Sequence, residues 1–169
     1  MIKLNYDNKK SLESQKKIYK ALRRVLLTKK LSEITVTDIS DECGISRSTF
    51  YRNFNNIYDI LKVFFDFYYD YYMRNRVGEE NQLLYFLQFW YYHKDLVNII
   101  NTQTPTILTD ILYKYTNKDW DSYHKKLKYE LFVTIICKWS ISKTETPEEM
   151  EQYLSKILTK KSIDILLDL

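Results

Sequence analysis

The stretch Ile34–Phe54, ITVTDISDECGISRSTFYRNF, constrains the fold more than any other, because it carries two helix-start signatures around a glycine. In the first, Ile34 precedes Thr35, with Asp38 three residues on and Ile39 after it. That order supplies an N-cap, an N3 acid and a hydrophobic staple. In the second, Ile45 precedes Ser46, with Thr49 and Phe50 at the matching positions. Gly44 stands where the first helix must end, at a position whose left-handed conformation costs glycine little. Two short helices across a tight turn form a helix-turn-helix.

Turned at about 100° per residue, the second helix puts Phe50 and Phe54 together, facing Val36, Ile39 and Cys43 of the first. Its other side carries Ser48, Arg52 and Asn55, with Thr49 and Tyr51 on the flanks and Arg47 at its start. Hydroxyls, guanidinium groups, an amide and a phenol can bond phosphate oxygens and base edges, and no carboxylate interrupts them. The plainer alternative is a helical hairpin with a solvated polar face.

TVTDIS, the turn CGIS and STFYRNF, whose tyrosine stands three residues before a phenylalanine, resemble the DNA-binding domain of the TetR/AcrR family of bacterial transcriptional regulators. The likeness covers roughly residues 14 to 62. In one respect the chain departs from the family pattern: a lysine that often touches a phosphate is replaced by Ile57. A homodimeric regulator is expected, a repressor in preference to an activator, and the lack of a leader-like or membrane-length apolar run places it in the cytoplasm.

Only two glycines and two prolines occur in 169 residues, and helical periodicity runs throughout, so the expected class is all-α with about nine helices. A three-helix DNA-binding domain over 1–55 is expected to precede a helical bundle over 56–169 for dimerisation and effector binding. Apolar stretches are broken by Asp, Lys or Gln before reaching membrane-spanning length, and no leader-like apolar run follows Lys3. The net charge of +4 is unevenly spread: twelve Lys/Arg face six acids through residue 55, giving +6 there and −2 behind. A basic front and a slightly acidic rear fit one segment that meets polyanions and one that does not.

Along the chain, residues 1–10 read as a basic arm and Ser11 as the cap of a helix reaching about Lys29. Ile18, Leu22, Val25 and Leu26 form its inner stripe; Lys16, Lys20, Arg23 and Arg24 lie outside, as solvated charges or phosphate neighbours. A fourth helix is expected over Ile57–Arg76, with Asp66 and Asp70 on its polar side, and a fifth over Glu80–His93, apolar almost all round. A sixth covers Asp95–Thr102, and a seventh runs to Tyr115 behind the cap Thr104 and its N1 residue Pro105. The eighth, Asp119–Ser140, carries two apolar sides. The ninth starts from the capping box Thr146–Glu149 with the stripe Met150, Tyr153, Leu154, Ile157 and Leu158; whether it continues to Leu169 is left open.

No catalytic constellation stands out. His93 and His124 are isolated, Cys43 and Cys137 lack metal-ligand spacing, and glycine-rich phosphate motifs are missing, so neither enzyme, metal site nor cofactor is expected. The rear is rich in aromatics instead: Phe64, Phe67, Tyr68, Tyr71, Phe86, Phe89, Trp90, Tyr113 and Trp139. Such stripes usually form core. Together they could also line a cavity for a small apolar or aromatic effector, which the resemblance implies. A protein partner docking on the rear domain is the alternative, since Tyr and Trp favour interfaces.

The expected target is a near-palindromic duplex DNA operator bound by two heads, dimerised through the last two helices. Arg47, Thr49 and Arg52 are placed near base edges and Thr35, Thr37, Ser46 and Tyr51 at phosphates, with Ser48 and Asn53 assigned to either.

Overall fold

The computed structural model describes residues 8–116, 118–139 and 145–167. Of the arm expected over residues 1–10, residues 1–7 lie outside the described residues, as do the helix end expected at Ser140 and the chain end at Leu169, while Lys9 and Lys10 are helical. All regular structure among the described residues is helical, in two compact units, Met1–Tyr68 and Tyr69–Leu169.

The first unit opens with α1, Lys9–Val25. Its cap is Asn8 and not Ser11: the Asn8 side chain accepts from the Ser11 amide at 3.1 Å. Asparagine caps as well as serine, and the earlier start adds most of a turn. The helix stops short of Lys29, in a turn where the Thr28 and Lys29 amides and the Thr28 hydroxyl all donate to the Val25 carbonyl. A 3₁₀ turn, Leu31–Glu33, leads into α2, Val36–Cys43, which is followed by α3, Arg47–Asn53. Ile18, Leu22, Ile39, Phe50 and Phe54 are fully buried between these helices.

The fourth helix, α4, spans Ile57–Asn75 and ends before Gly78, whose φ is +94°. Asn56 accepts from the Asp59 amide and Asp59 accepts from the Asn55 amide, closing its first turn. The unit boundary falls inside α4, between Tyr68 and Tyr69, later than the division expected at residue 55. Phe64, buried in the first half of α4, stacks on Tyr19 of α1 in the first unit.

The second unit continues with α5 (Gln82–Tyr92), α6 (Lys94–Gln103) and α7 (Pro105–Lys114). Its centre is a set of rings meeting edge to face: Trp90 and Phe132 are 5.1 Å apart at 77°, and Phe86 and Phe132 5.9 Å apart at 75°. Such geometry sets the positive edge of one ring on the negative face of the next. α5 is less enclosed than expected. Leu83, Phe86, Leu87 and Trp90 are buried, but Tyr92 is exposed and Gln88 bonds Glu148 at 2.7 Å. Thr104 does not cap α7 through its side chain; its hydroxyl instead donates to the Ile100 carbonyl at 3.4 Å.

The expected eighth helix is shorter and changes winding. α8 covers Ser122–Phe132 and passes into a π-wound segment, Val133–Trp139. Wider i→i+5 bonding shifts the faces, so Phe132, Ile135, Ile136 and Trp139 are all buried, and the two clean apolar sides are lost. Thr146 and Glu149 form the expected reciprocal cap for α9, Pro147–Ile157. The chain then breaks. Leu158 is extended, and Thr159 caps α10, Lys160–Leu167, by accepting from the Ser162 amide at 3.2 Å.

Candidate nucleic-acid interface

The helix-turn-helix forms as its caps dictate. Thr35 accepts from the Asp38 amide at 3.1 Å, and the Asp38 carboxylate accepts from the Thr35 amide at 2.8 Å. Gly44 takes the left-handed conformation at φ +65°, and the Ile45 amide reaches back to the Ser40 carbonyl at 3.0 Å. Ser46 then caps α3 by accepting from the Thr49 amide at 3.1 Å.

Two ion pairs fasten α2 to α1 and its following turn. Lys29 meets Asp38 at 2.7 Å and Arg24 meets Glu42. Arg24, read above as a solvated or phosphate-facing charge, is thus engaged within the protein. Both pairs are partly exposed and contribute to orientation more than to stability. The Lys29 ammonium, helped by the Thr35 amide and hydroxyl, holds the Asp38 carboxyl down at about 2.

On α3 the residue-by-residue placement follows the helix period. Arg47, Ser48, Tyr51 and Arg52 are exposed, while Phe50 is fully buried behind them. Thr49 is half-buried, its hydroxyl 3.0 Å from that of Ser46 and accepting from Arg52 Nη2 at 2.9 Å. Ser46 and Ser48 hydroxyls lie 2.8 Å apart. Thr35 and Thr37 are exposed at the start of α2. Asn53 departs from this group. Only 8% exposed, it donates to the Thr49 carbonyl at 2.7 Å and accepts from the Ser11 hydroxyl at 3.0 Å. One position past Arg52, it is turned about 100° round the helix and so leaves the outer face.

Ile57 is buried and offers no cation at the start of α4. Beside it an open cleft of about 290 Å³ is lined by Thr35, Tyr51, Asn55 and Tyr58 among others. Sequence reasoning missed Tyr58 and Ser11 as members of this region. The signal for Tyr58 is its place next to Ile57 after the turn; nothing local marks Ser11 as more than a cap.

The nine aromatics named as effector candidates fall into separate settings. Phe64, Phe67 and Tyr68 belong to the first unit, with Phe64 stacked on Tyr19. In the second unit Phe86 and Trp90 are at most 1% exposed and sit among other core rings. Tyr71 is exposed and stacks on Phe89, centroids 6.0 Å apart. Tyr113 is exposed on α7, and Trp139 is buried, its indole N–H donating to the Glu145 carbonyl at 3.3 Å. No group of three or more His, Cys, Asp or Glu among the described residues is placed to hold a metal, and no described helix is long and apolar enough to cross a membrane.

Among known families, residues 18–63 match the model described as bacterial regulatory proteins, tetR family. The match runs from α1 through the helix-turn-helix into α4. No curated protein and no solved structure matches the chain.

Proposed function

We propose that the chain, whose residues 18–63 match the tetR-family model, is a DNA-binding transcriptional regulator of that family and acts as a homodimeric repressor on a near-palindromic operator. The carrying observation is the outward face of α3, where Arg47, Ser48, Tyr51 and Arg52 stand exposed on a helix with no acidic residue. Arg47 and Arg52 read base edges, guanine above all, because a guanidinium fork matches its O6 and N7. Thr35, Thr37, Ser46 and Tyr51 position the backbone. Tyr58 and Asn55, in the cleft beside buried Ile57, supply neutral donors to a phosphate.

Two copies are needed on energetic grounds. A helix of seven residues reaches three or four bases, each good bidentate pair giving about 1–3 kcal/mol, too little to single out one site in a genome. Two heads on successive major grooves, about 34 Å apart or at another fixed spacing, square that selectivity. Tyr153 and Ile157, one turn apart on α9 and 58% and 56% exposed, favour self-association through the last helices. An apolar pair left open on one protomer can close on its copy.

The second unit is assigned the sensing of a small apolar or aromatic effector, which shifts the dimer toward a head spacing the operator does not fit. The coupling needed is about 1–3 kcal/mol. Trp90 and Phe86 would meet such a ligand only after repacking, whereas the Tyr71–Phe89 pair is already open.

Sedimentation of the full chain with a selected duplex tests the dimer. A complex of two protomers per site is expected, with Ile157→Lys reducing both the free dimer and operator binding. One protomer per site would contradict the proposal.

A further inference from the structure

Thr49 stands on α3 among residues suited to reading bases, yet it is half-buried and its hydroxyl is engaged on two sides. Its Oγ1 accepts from Arg52 Nη2 at 2.9 Å and lies 3.0 Å from the Ser46 hydroxyl. Ser46 in turn accepts from the Thr49 amide at 3.1 Å and lies 2.8 Å from the Ser48 hydroxyl.

Proton accounting gives these contacts a direction. Each hydroxyl has one proton to donate and two lone pairs to accept with. The direction that gives the Thr49 and Ser46 protons an acceptor each is Thr49 to Ser46 and Ser46 to Ser48. Thr49 therefore keeps its lone pairs for Arg52, and the Ser48 proton is left at the exposed end of the chain.

The consequence falls on Arg52. Arginine loses much rotamer freedom when it is held in one place, and a guanidinium fork discriminates between bases only when both of its bonds align. The bond to Thr49 uses one of the guanidinium's donors and leaves the others for a base edge, so part of the ordering is done before DNA arrives. Threonine suits this task because its branched Cβ restricts χ1, and the Ser46 cap holds the hydroxyl from the other side.

We infer that Thr49 is a positioning residue, which sets sequence preference by holding the Arg52 guanidinium and not through a base contact of its own. The inference rests on the reading of α3 as the DNA-facing helix.

The test uses the full chain and the duplex it selects from a random-sequence pool, with each base pair of a half-site exchanged in turn. Arg52→Ala marks the pair that Arg52 reads. Thr49→Val keeps the branched shape and loses the hydroxyl; it is expected to lower preference at that same pair about tenfold, within the range of one bidentate contact, and to leave the other pairs as in the parent. Thr49→Ser retains the acceptor and is expected to keep most of the preference. Added to Arg52→Ala, Thr49→Val should change nothing further at that pair. Circular dichroism checks the helix content of each protein, and Thr49→Ala, with the same expected profile, serves if the valine variant loses helix. Preference lost at a different pair marks a direct base contact by Thr49 and overturns the inference. So does affinity lowered equally on every duplex, which marks a role in folding or in phosphate binding. Arg52→Ala separates the two levels: preference lost there but kept in Thr49→Val overturns the positioning role alone, whereas preference retained in Arg52→Ala overturns the reading of α3 and the inference with it.

Discussion

The ring of Tyr19 in α1 lies flat on that of Phe64 in α4, centroids 3.9 Å apart and planes 10° from parallel. Both are nearly fully buried, so the helix that follows the helix-turn-helix is anchored to the first helix by a stacked pair. Phe64→Ala is expected to destabilise the first unit by about 3–5 kcal/mol. That is a large share of the about 5–15 kcal/mol holding a domain together. Combined with Tyr19→Ala, the changes should fall short of additive by about 0.5–1.5 kcal/mol, the part owed to ring on ring. Urea unfolding of the four proteins of the cycle measures it.

Gly44 makes a separable prediction. A methyl group there would meet nothing within 4 Å, yet φ is +65°. Gly44→Ala should therefore cost about 1–2 kcal/mol through the backbone alone, and Gly44→Asn less, since asparagine tolerates the left-handed region. Thermal melts of both variants, with operator affinity beside them, check the order.

Asp38 fixes the sign of a pH effect. Its folded carboxyl titrates at about 2, below its ordinary 3.8, because Lys29 and the Thr35 cap favour the charged form. A lowered folded pKa means stability fully present above the ordinary value and lost as pH falls from about 4 through about 2. The melting temperature should fall over that window, and Asp38→Asn should flatten this part of the profile while lowering stability at neutral pH.

The thiols should be sluggish. Burial pushes Cys137 up to about 12 and raises Cys43, whose Sγ also donates to the Ile39 carbonyl at 3.0 Å. Since thiolate is the nucleophile, iodoacetamide at pH 8 is expected to label unfolded protein much faster than native. Rapid native labelling at Cys137 would contradict this.

What the sequence disclosed, it disclosed through local chemistry. Thr35 with Asp38, Gly44, Ser46 and Thr146 with Glu149 each satisfy backbone groups within a few residues, so their roles are legible from spacing alone. Sequence reasoning fails where distant partners decide. The amide of Asn53 suits DNA and groups it with the outward residues, but Ser11, far away in sequence, claims it. Arg24 reads as a free charge because Glu42, its partner, belongs to another helix. The break at Leu158 turns on Thr159 capping a new helix within an apparently continuous stripe. The π winding after Phe132 has no sequence mark, and it reassigns the faces of the eighth helix. For the aromatics, periodicity says which side of a helix is apolar but not which unit it serves, and Phe64 belongs to the head.

Sequence reading by the outer face of α3 is tested most directly by selection of duplexes from a random pool by wild type and by Arg52→Ala. Wild type is expected to return a near-palindrome, and Arg52→Ala to lose preference at one base pair per half-site, about 1–3 kcal/mol of discrimination. An identical consensus bound with identical affinity by Arg52→Ala would contradict it.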